Sequence, residues 1–211
     1  MIKYVVFDFN GTILDDVNLC LNLLNEILTK QNKKPLTLDE YRHVFTFPIK
    51  KYYELAGVDF TKDSFEDLSL WFINNYQEAS FKEKTYPHLL DVITKLKEKG
   101  IKLVILSASQ KDNLIKQLEV LKLKDKFDDI LGLDNIYAAS KVDIAKNFVK
   151  ENNIDPKDVL AIGDTLHDFE VGRALGFKVL LFSKGHQARD VLAKAGVPII
   201  DDLIDIIDYI N

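Results

Sequence analysis

Four short apolar runs stop on small polar or acidic residues: YVVF before Asp8, KLVIL before Ser107, VLAI before Gly163-Asp164 and KVLLF before Ser183. A strand wet on one face alternates apolar with polar positions. These runs do not alternate, so they predict strands buried on both faces, as in a parallel sheet. Further strands are expected at 129–133 and 197–200.

Parallel strands need crossovers, and helix-period stretches supply them. Leu89, Val92, Ile93 and Leu96 keep a 3.6-residue period and stop at Lys99-Gly100, a basic last turn followed by glycine. Val142 to Val149 and Phe169 to Leu175 behave alike, the second closing at Gly176. This alternation predicts an α/β protein with a doubly wound, Rossmann-like parallel sheet.

The stretch 16–83 breaks the alternation. It reads as helix from Val17 to Gln31, a capping box at Thr37-Leu38-Asp39-Glu40, a helix ending at Ala56-Gly57 and another from near Asp63 to Lys84. Leu68, Trp71, Phe72 and Tyr76 share one face of the last. The expected division is an α/β core, 1–15 plus 84–211, with a helical subdomain, 16–83, packed over the strand ends.

Composition narrows the classes of function. Hydrophobic residues at 47% and charged residues at 29% of 211 suit a soluble globular chain. Apolar runs fall short of the roughly 18 residues of a membrane helix, and the start lacks a signal peptide's basic flank, so a cytoplasmic protein is expected. A net charge of −5, with basic runs no longer than Lys33-Lys34 or Lys50-Lys51, argues against a nucleic-acid surface. The single cysteine, Cys20, excludes an internal disulfide and reads as a small buried apolar residue. Oligomeric state is not legible.

Ligands of an open parallel sheet bind beyond the carboxyl ends of its strands. Those ends carry Asp8, Ser107 and Asp164, with Asp168 one helical turn further on and Lys141 opening another helix after Ser140. Each has a plain structural reading. Asp8 can cap a following helix, Ser107 can end a strand in a turn, and Asp164 and Asp168 can be an N-cap and a first-turn acid. Lys141 resists such a reading, because a cation in a first turn opposes the helix dipole by about 0.3–1 kcal/mol. A bound anion would offset that cost.

Gly11 permits a tight turn aiming backbone N–H groups at an anion, which makes Thr12 a candidate substrate contact. The Ser107 hydroxyl and the Ala108 N–H are suited to hold a phosphate oxygen. Together the set has what phosphoryl transfer through a carboxyl phosphate requires: a nucleophilic carboxylate, carboxylates for Mg²⁺ and donors for phosphoryl oxygens.

With these motifs in order, the chain resembles the haloacid dehalogenase superfamily, in its phosphatase-like, helical-cap branch that includes phosphoglycolate phosphatases. The motifs are Asp8-Phe9-Asn10-Gly11-Thr12, Ser107, Lys141 and Gly163-Asp164-Thr165 with Asp168. The resemblance implies a Rossmann-like core with a cap at 16–83 and hydrolysis of a small phosphorylated metabolite. It makes Asp8 the nucleophile and gives the phosphoryl group to Ser107 and Lys141. Mg²⁺ goes to Asp8, Asp164, Asp168 and the Asn10 carbonyl, Asp168 acting through water or Lys141. Cap residues contact substrate in such proteins, so Arg42, Thr46 and Lys50 are candidates.

Asn10 departs from the pattern, which usually has an aspartate there as general acid and base. An amide cannot deliver a proton, and losing that help costs roughly 10²–10⁴-fold. His167, His43, His88 and His186 are possible substitutes, and each also reads as an ordinary surface or loop histidine. The family's dehalogenases work without Mg²⁺, and the presence of Asp164 and Asp168 argues against that chemistry. A non-catalytic phosphate-binding or regulatory protein is the alternative reading.

Overall fold

The computed structural model describes residues 1–133 and 140–210. Six strands are described: β1 Tyr4–Phe7, β2 Lys102–Gln110, β3 Asp129–Leu133, β4 Val159–Gly163, β5 Lys178–Phe182 and β6 Ile199–Ile200. They form one parallel sheet in the order β3-β2-β1-β4-β5-β6. β1 is central, and Phe7 stands opposite both Ile105 of β2 and Ile162 of β4. Their next residues therefore emerge at one edge.

The absence of alternation follows from burial on two faces. Val5, Phe7, Leu103 and Ile105 pack with Leu89, Val92, Ile93 and Leu96 of α5 (Leu89–Glu98) and with Leu114 and Leu118 of α6 (Lys111–Val120). Val6, Val104 and Leu106, the intervening positions, face α7 (Lys141–Glu151) and α8 (Leu166–Leu175) through Ala145, Phe148 and Val171. Helices on both faces cover a doubly wound sheet.

Between β1 and α5 the chain builds α1 (Val17–Lys30), α2 (Leu38–Val44), α3 (Ile49–Ala56) and α4 (Phe65–Ser80). α4 is shorter than its apolar pattern predicts, closing at Ser80. These helices have their own core, which includes Leu24, Ile27, Leu28, Tyr41, Tyr52 and Tyr53. The chain leaves and returns side by side: Asp15 N donates to Lys84 O at 2.8 Å and Tyr86 N to Ile13 O at 3.1 Å. The helical layer is also fastened to the core beyond β5, where Arg42 donates through Nε to Gly185 O at 2.9 Å and through Nη2 to Lys184 O at 2.5 Å. No helix among the described residues is long and apolar enough to cross a membrane.

Candidate active site

The edge where β1, β2 and β4 end forms the floor of a cavity of about 930 Å³, roofed by α2 to α4. Asp8 follows Phe7 directly and is held in line by its N–H, which donates to Ile162 O at 2.8 Å. Lys141 Nζ donates to Asp8 Oδ1 and to Asp168 Oδ1, both at 2.6 Å. The first-turn lysine thus meets side-chain carboxylates, which accounts for a cation at that end of a helix. Its side chain is only 7% exposed, so the ion pairs are largely withdrawn from water.

Asp168 serves two ends. Its Oδ2 accepts from Thr165 Oγ1 at 2.6 Å and Thr165 N at 3.1 Å, completing a capping box on α8, while Oδ1 takes Lys141. One oxygen of Asp168 therefore caps the helix while the other faces the lysine. Asp164, by contrast, is no cap: Thr165 occupies that position. The Asp164 carboxylate accepts from Thr12 Oγ1 at 3.1 Å and from His186 N at 2.6 Å. Space around it is reserved by glycine. A Cβ on Gly11, whose φ is +72°, would lie 2.3 Å from Asp164 Oδ2, and one on Gly185 would lie 2.2 Å away.

One carboxylate oxygen from each of Asp8, Asp164 and Asp168 falls within a 4.8 Å span. Burial dominates their titration, raising Asp8 to about 8 and Asp164 to about 6 against the pull of Lys141 and His186 respectively. Burial also opposes the charge on Asp168, but Lys141 outweighs it and holds that carboxyl below its usual range. The cluster carries more buried negative charge than Lys141 neutralises. Hard oxygen donors with excess negative charge fit a divalent cation of the Mg²⁺ kind.

On the β2 side, the register with β3 slips between Leu106 and Gln110, and the irregular stretch presents Ser107, Ala108 and Ser109 to the cavity. Ser107 Oγ accepts from Ser109 N at 3.1 Å. The strand runs on to Gln110, beyond the end expected at Ser107.

Asn10 is bound on every side. Its Nδ2 donates to Asp16 Oδ2 at 3.0 Å and Tyr76 Oη at 2.6 Å, and its Oδ1 accepts from Ser109 Oγ at 3.0 Å. Asp16, 1% exposed, also accepts from Gly11 N at 2.9 Å and Tyr76 Oη at 2.6 Å, and pairs with His186 Nε2 at 3.2 Å. Burial disfavours the Asp16 carboxylate, but His186, Tyr76 and Asn10 prevail and lower its pKa. Burial likewise opposes the His186 cation, which Asp16 raises to about 9. An aspartate at position 10 would face this ionised carboxylate. The amide at 10 is therefore matched to Asp16.

The site gathers most of the candidates and leaves some outside. Asp8, Asn10, Ser107, Ala108, Lys141, Asp164 and Asp168 line the cavity, while Thr12 is fully buried against Asp164. Arg42, Thr46 and Lys50 do not line it. Arg42 is spent on the Lys184 and Gly185 carbonyls, Thr46 Oγ1 turns to Phe47 O at 3.4 Å, and exposed Lys50 lies about 6 Å from the Phe60 and Phe65 rings. Among the histidines, His167 and His186 both line the cavity, His186 locked to Asp16 and Tyr41. His43 pairs with Asp39 and Asp190, and His88 with Asp202.

A parallel sheet with a buried carboxylate and lysine cluster at its carboxyl edge, under a helical roof, defines a capped α/β protein with a charged cavity at the strand ends. The chain belongs to the haloacid dehalogenase-like hydrolase family, whose sequence profile matches residues 5–182. A phosphoglycolate phosphatase of Psychrobacter arcticus is 25% identical over 220 residues, spanning 99% of this chain and 95% of that protein. Pyrophosphatase PpaX of Bacillus pumilus is 23% identical over 181 residues, 84% of this chain and 81% of that one. A solved haloacid dehalogenase-like hydrolase from Streptococcus pneumoniae shares the fold, with a TM-score of 0.83 at 18% identity, covering 100% of this chain and 99% of its own.

Proposed function

We propose that the chain is a divalent-cation-dependent phosphohydrolase acting on small phosphorylated compounds through a phosphorylated Asp8. The observation that carries this reading is the Asp8 carboxylate at the cavity floor, with Lys141 on Oδ1 and the Asp164 and Asp168 carboxylates beside it. Relatives named as phosphatases support it.

Among the described residues nothing donates to Asp8 Oδ2, which leaves that oxygen as the nucleophile. It attacks phosphorus, the bond from phosphorus to the leaving oxygen breaks, and the phosphoryl group stays on Asp8. Water then attacks the same phosphorus, releasing phosphate and regenerating the carboxylate. Lys141, the Ser107 hydroxyl and the Ala108 N–H are the donors for the transferring oxygens. Asp8, Asp164 and the Asn10 backbone carbonyl would hold Mg²⁺, which supplies charge neutralisation for the phosphoryl oxygens. Asp168 acts by fixing Lys141.

Both Asn10 amide hydrogens are engaged, and Asp16 is held ionised. Neither gives the leaving oxygen a proton, so an alcohol leaving group takes its proton from water or from His167 in the cavity wall, and esters of weakly basic leaving groups turn over faster by up to roughly the 10²–10⁴-fold worth of general acid help. The test is Mg²⁺-dependent phosphate release from acetyl phosphate. Wild type is expected to turn over, and Asp8→Asn to lose on the order of 10⁴-fold or more. Phosphate binding without turnover by wild type would favour the non-catalytic alternative.

A further inference from the structure

The roof of the cavity has a chemistry of its own. Phosphoryl transfer needs the floor alone, yet the cleft offers about 930 Å³, near the upper end of ordinary small-molecule sites at roughly 300–1,000 Å³. The roof is faced with aromatic and aliphatic side chains, among them Phe45, Tyr52, Phe65, Phe72, Ile73 and Tyr76. Among the described lining residues, α2 to α4 and their connections supply no Lys, Arg or His and one acid, Glu66. The cations of this region, Arg42 and Lys50, are directed elsewhere, as described above.

Two polar atoms in this apolar roof lack partners. The Tyr52 and Ser69 hydroxyls are buried without a hydrogen bond among the described residues, and both residues line the cavity. Tyr52 is 3% exposed, and the Tyr41 hydroxyl, itself bonded to His186 Nδ1, lies close enough to ease the burial of the Tyr52 hydroxyl but not in hydrogen-bonding geometry. Buried hydroxyls without partners are costly and rare in folded proteins, so such a pair in a cavity wall is suited to a ligand that completes it.

Resting on the phosphohydrolase reading, we infer that the substrate is the phosphomonoester of an uncharged, ring-bearing alcohol that carries a hydrogen-bonding group. The phosphoryl group sits on Asp8, the ring packs beneath α3 and α4, and its polar atom meets Tyr52 and Ser69. A carboxylated alcohol such as glycolate fits poorly. Its carboxylate would face aromatic rings in a roof whose one charged lining residue, among those described, is Glu66, an unfavourable setting for an unpaired anion.

Three compounds test this: acetyl phosphate, whose acetyl group brings the roof neither a charge nor a ring, 2-phosphoglycolate, and 3-(hydroxymethyl)benzyl phosphate. The last two are both primary alkyl esters, so they differ chiefly in what the roof meets. The expected result is turnover of acetyl phosphate and a kcat/KM for the benzyl ester about 10–100-fold above that for phosphoglycolate, the worth of burying a ring. Ile73→Arg, at a half-exposed roof position, is expected to cut that ratio at least about fivefold by adding a cation. Tyr52→Phe is expected to lower kcat/KM for the benzyl ester by about 3–10-fold, the worth of one hydrogen bond. Turnover of acetyl phosphate with phosphoglycolate equal to or better than the benzyl ester overturns the inference and leaves the phosphohydrolase standing. A ratio unmoved by Ile73→Arg also overturns it, because the roof is then not the discriminator. Failure of all three compounds in Mg²⁺ overturns the phosphohydrolase reading, and the inference with it.

Discussion

The floor and the roof of the cavity bury different kinds of group. On the floor, Asp16, Lys141, Asp164 and Asp168 each make two or more hydrogen bonds, and the negative charges outnumber the cations. In the roof, Tyr52, Tyr53, Phe65 and Phe72 pack by contact, and the Tyr52 and Ser69 hydroxyls have no hydrogen bond among the described residues. Charge of one sign forced together in a buried site is a poor way to gain stability and an effective way to bind a cation and a phosphoryl group. An apolar roof stabilises its own helices and leaves its shape free to select what the phosphate is attached to. On the proposed reading, the floor sets the reaction and the roof selects the partner.

That division can be broken most severely at Lys141. Lys141→Met strands Asp8 and Asp168 without their shared ammonium and is expected to cost about 3–5 kcal/mol, read as a lower urea midpoint. A midpoint unchanged from wild type would mean that the floor charges are not coupled as the distances imply.

The next effect sharpens the contrast from the other side. Mg²⁺ at 100 times its dissociation constant is expected to stabilise wild type by about 2.7 kcal/mol, seen as a rise in melting temperature. Asp164→Asn should remove most of that rise, whereas Tyr52→Phe in the roof should keep it.

The smallest effect belongs to the roof alone. Thr37 accepts from Glu40 N at 3.2 Å as the N-cap of α2, and Thr37→Ala is expected to cost about 1 kcal/mol in a urea titration. Mg²⁺ should stabilise that variant as much as wild type. A loss of Mg²⁺ stabilisation there would show that the roof helps to hold the floor together.

How far these regions can be read from sequence follows from how local their causes are. β1, β2, β4 and β5 are legible because burial on both faces demands continuous apolar runs, and an acid at a run's end marks the sheet edge. Lys141 is legible because a first-turn cation opposes its own helix. α6 is harder to see, since its inward side is little more than Leu114, Gln117 and Leu118. Asp16 hides in a position that reads as the N-cap of α1, yet its side chain makes no cap bond and turns back to Gly11, Asn10 and His186. Its acid pair with Asp15 is the one local hint; the His186 partner comes from the far end of the fold. The roof misleads for a similar reason. Arg42 and Lys50 draw notice as charges near the site, but the loop beyond β5 takes the first and solvent the second. The residues that do line the roof are aromatic and look like ordinary core.

The measurement that bears most directly on the account is covalent capture of the nucleophile. The protein would be mixed with acetyl phosphate and Mg²⁺, quenched in acid, reduced with borohydride and digested for peptide mass spectrometry. Phosphorylation of Asp8 predicts its conversion to homoserine in wild type and no such product in Asp8→Asn. Steady turnover with Asp8 unmodified, or turnover surviving in Asp8→Asn, would contradict the assignment of Asp8 as the group that carries the phosphoryl.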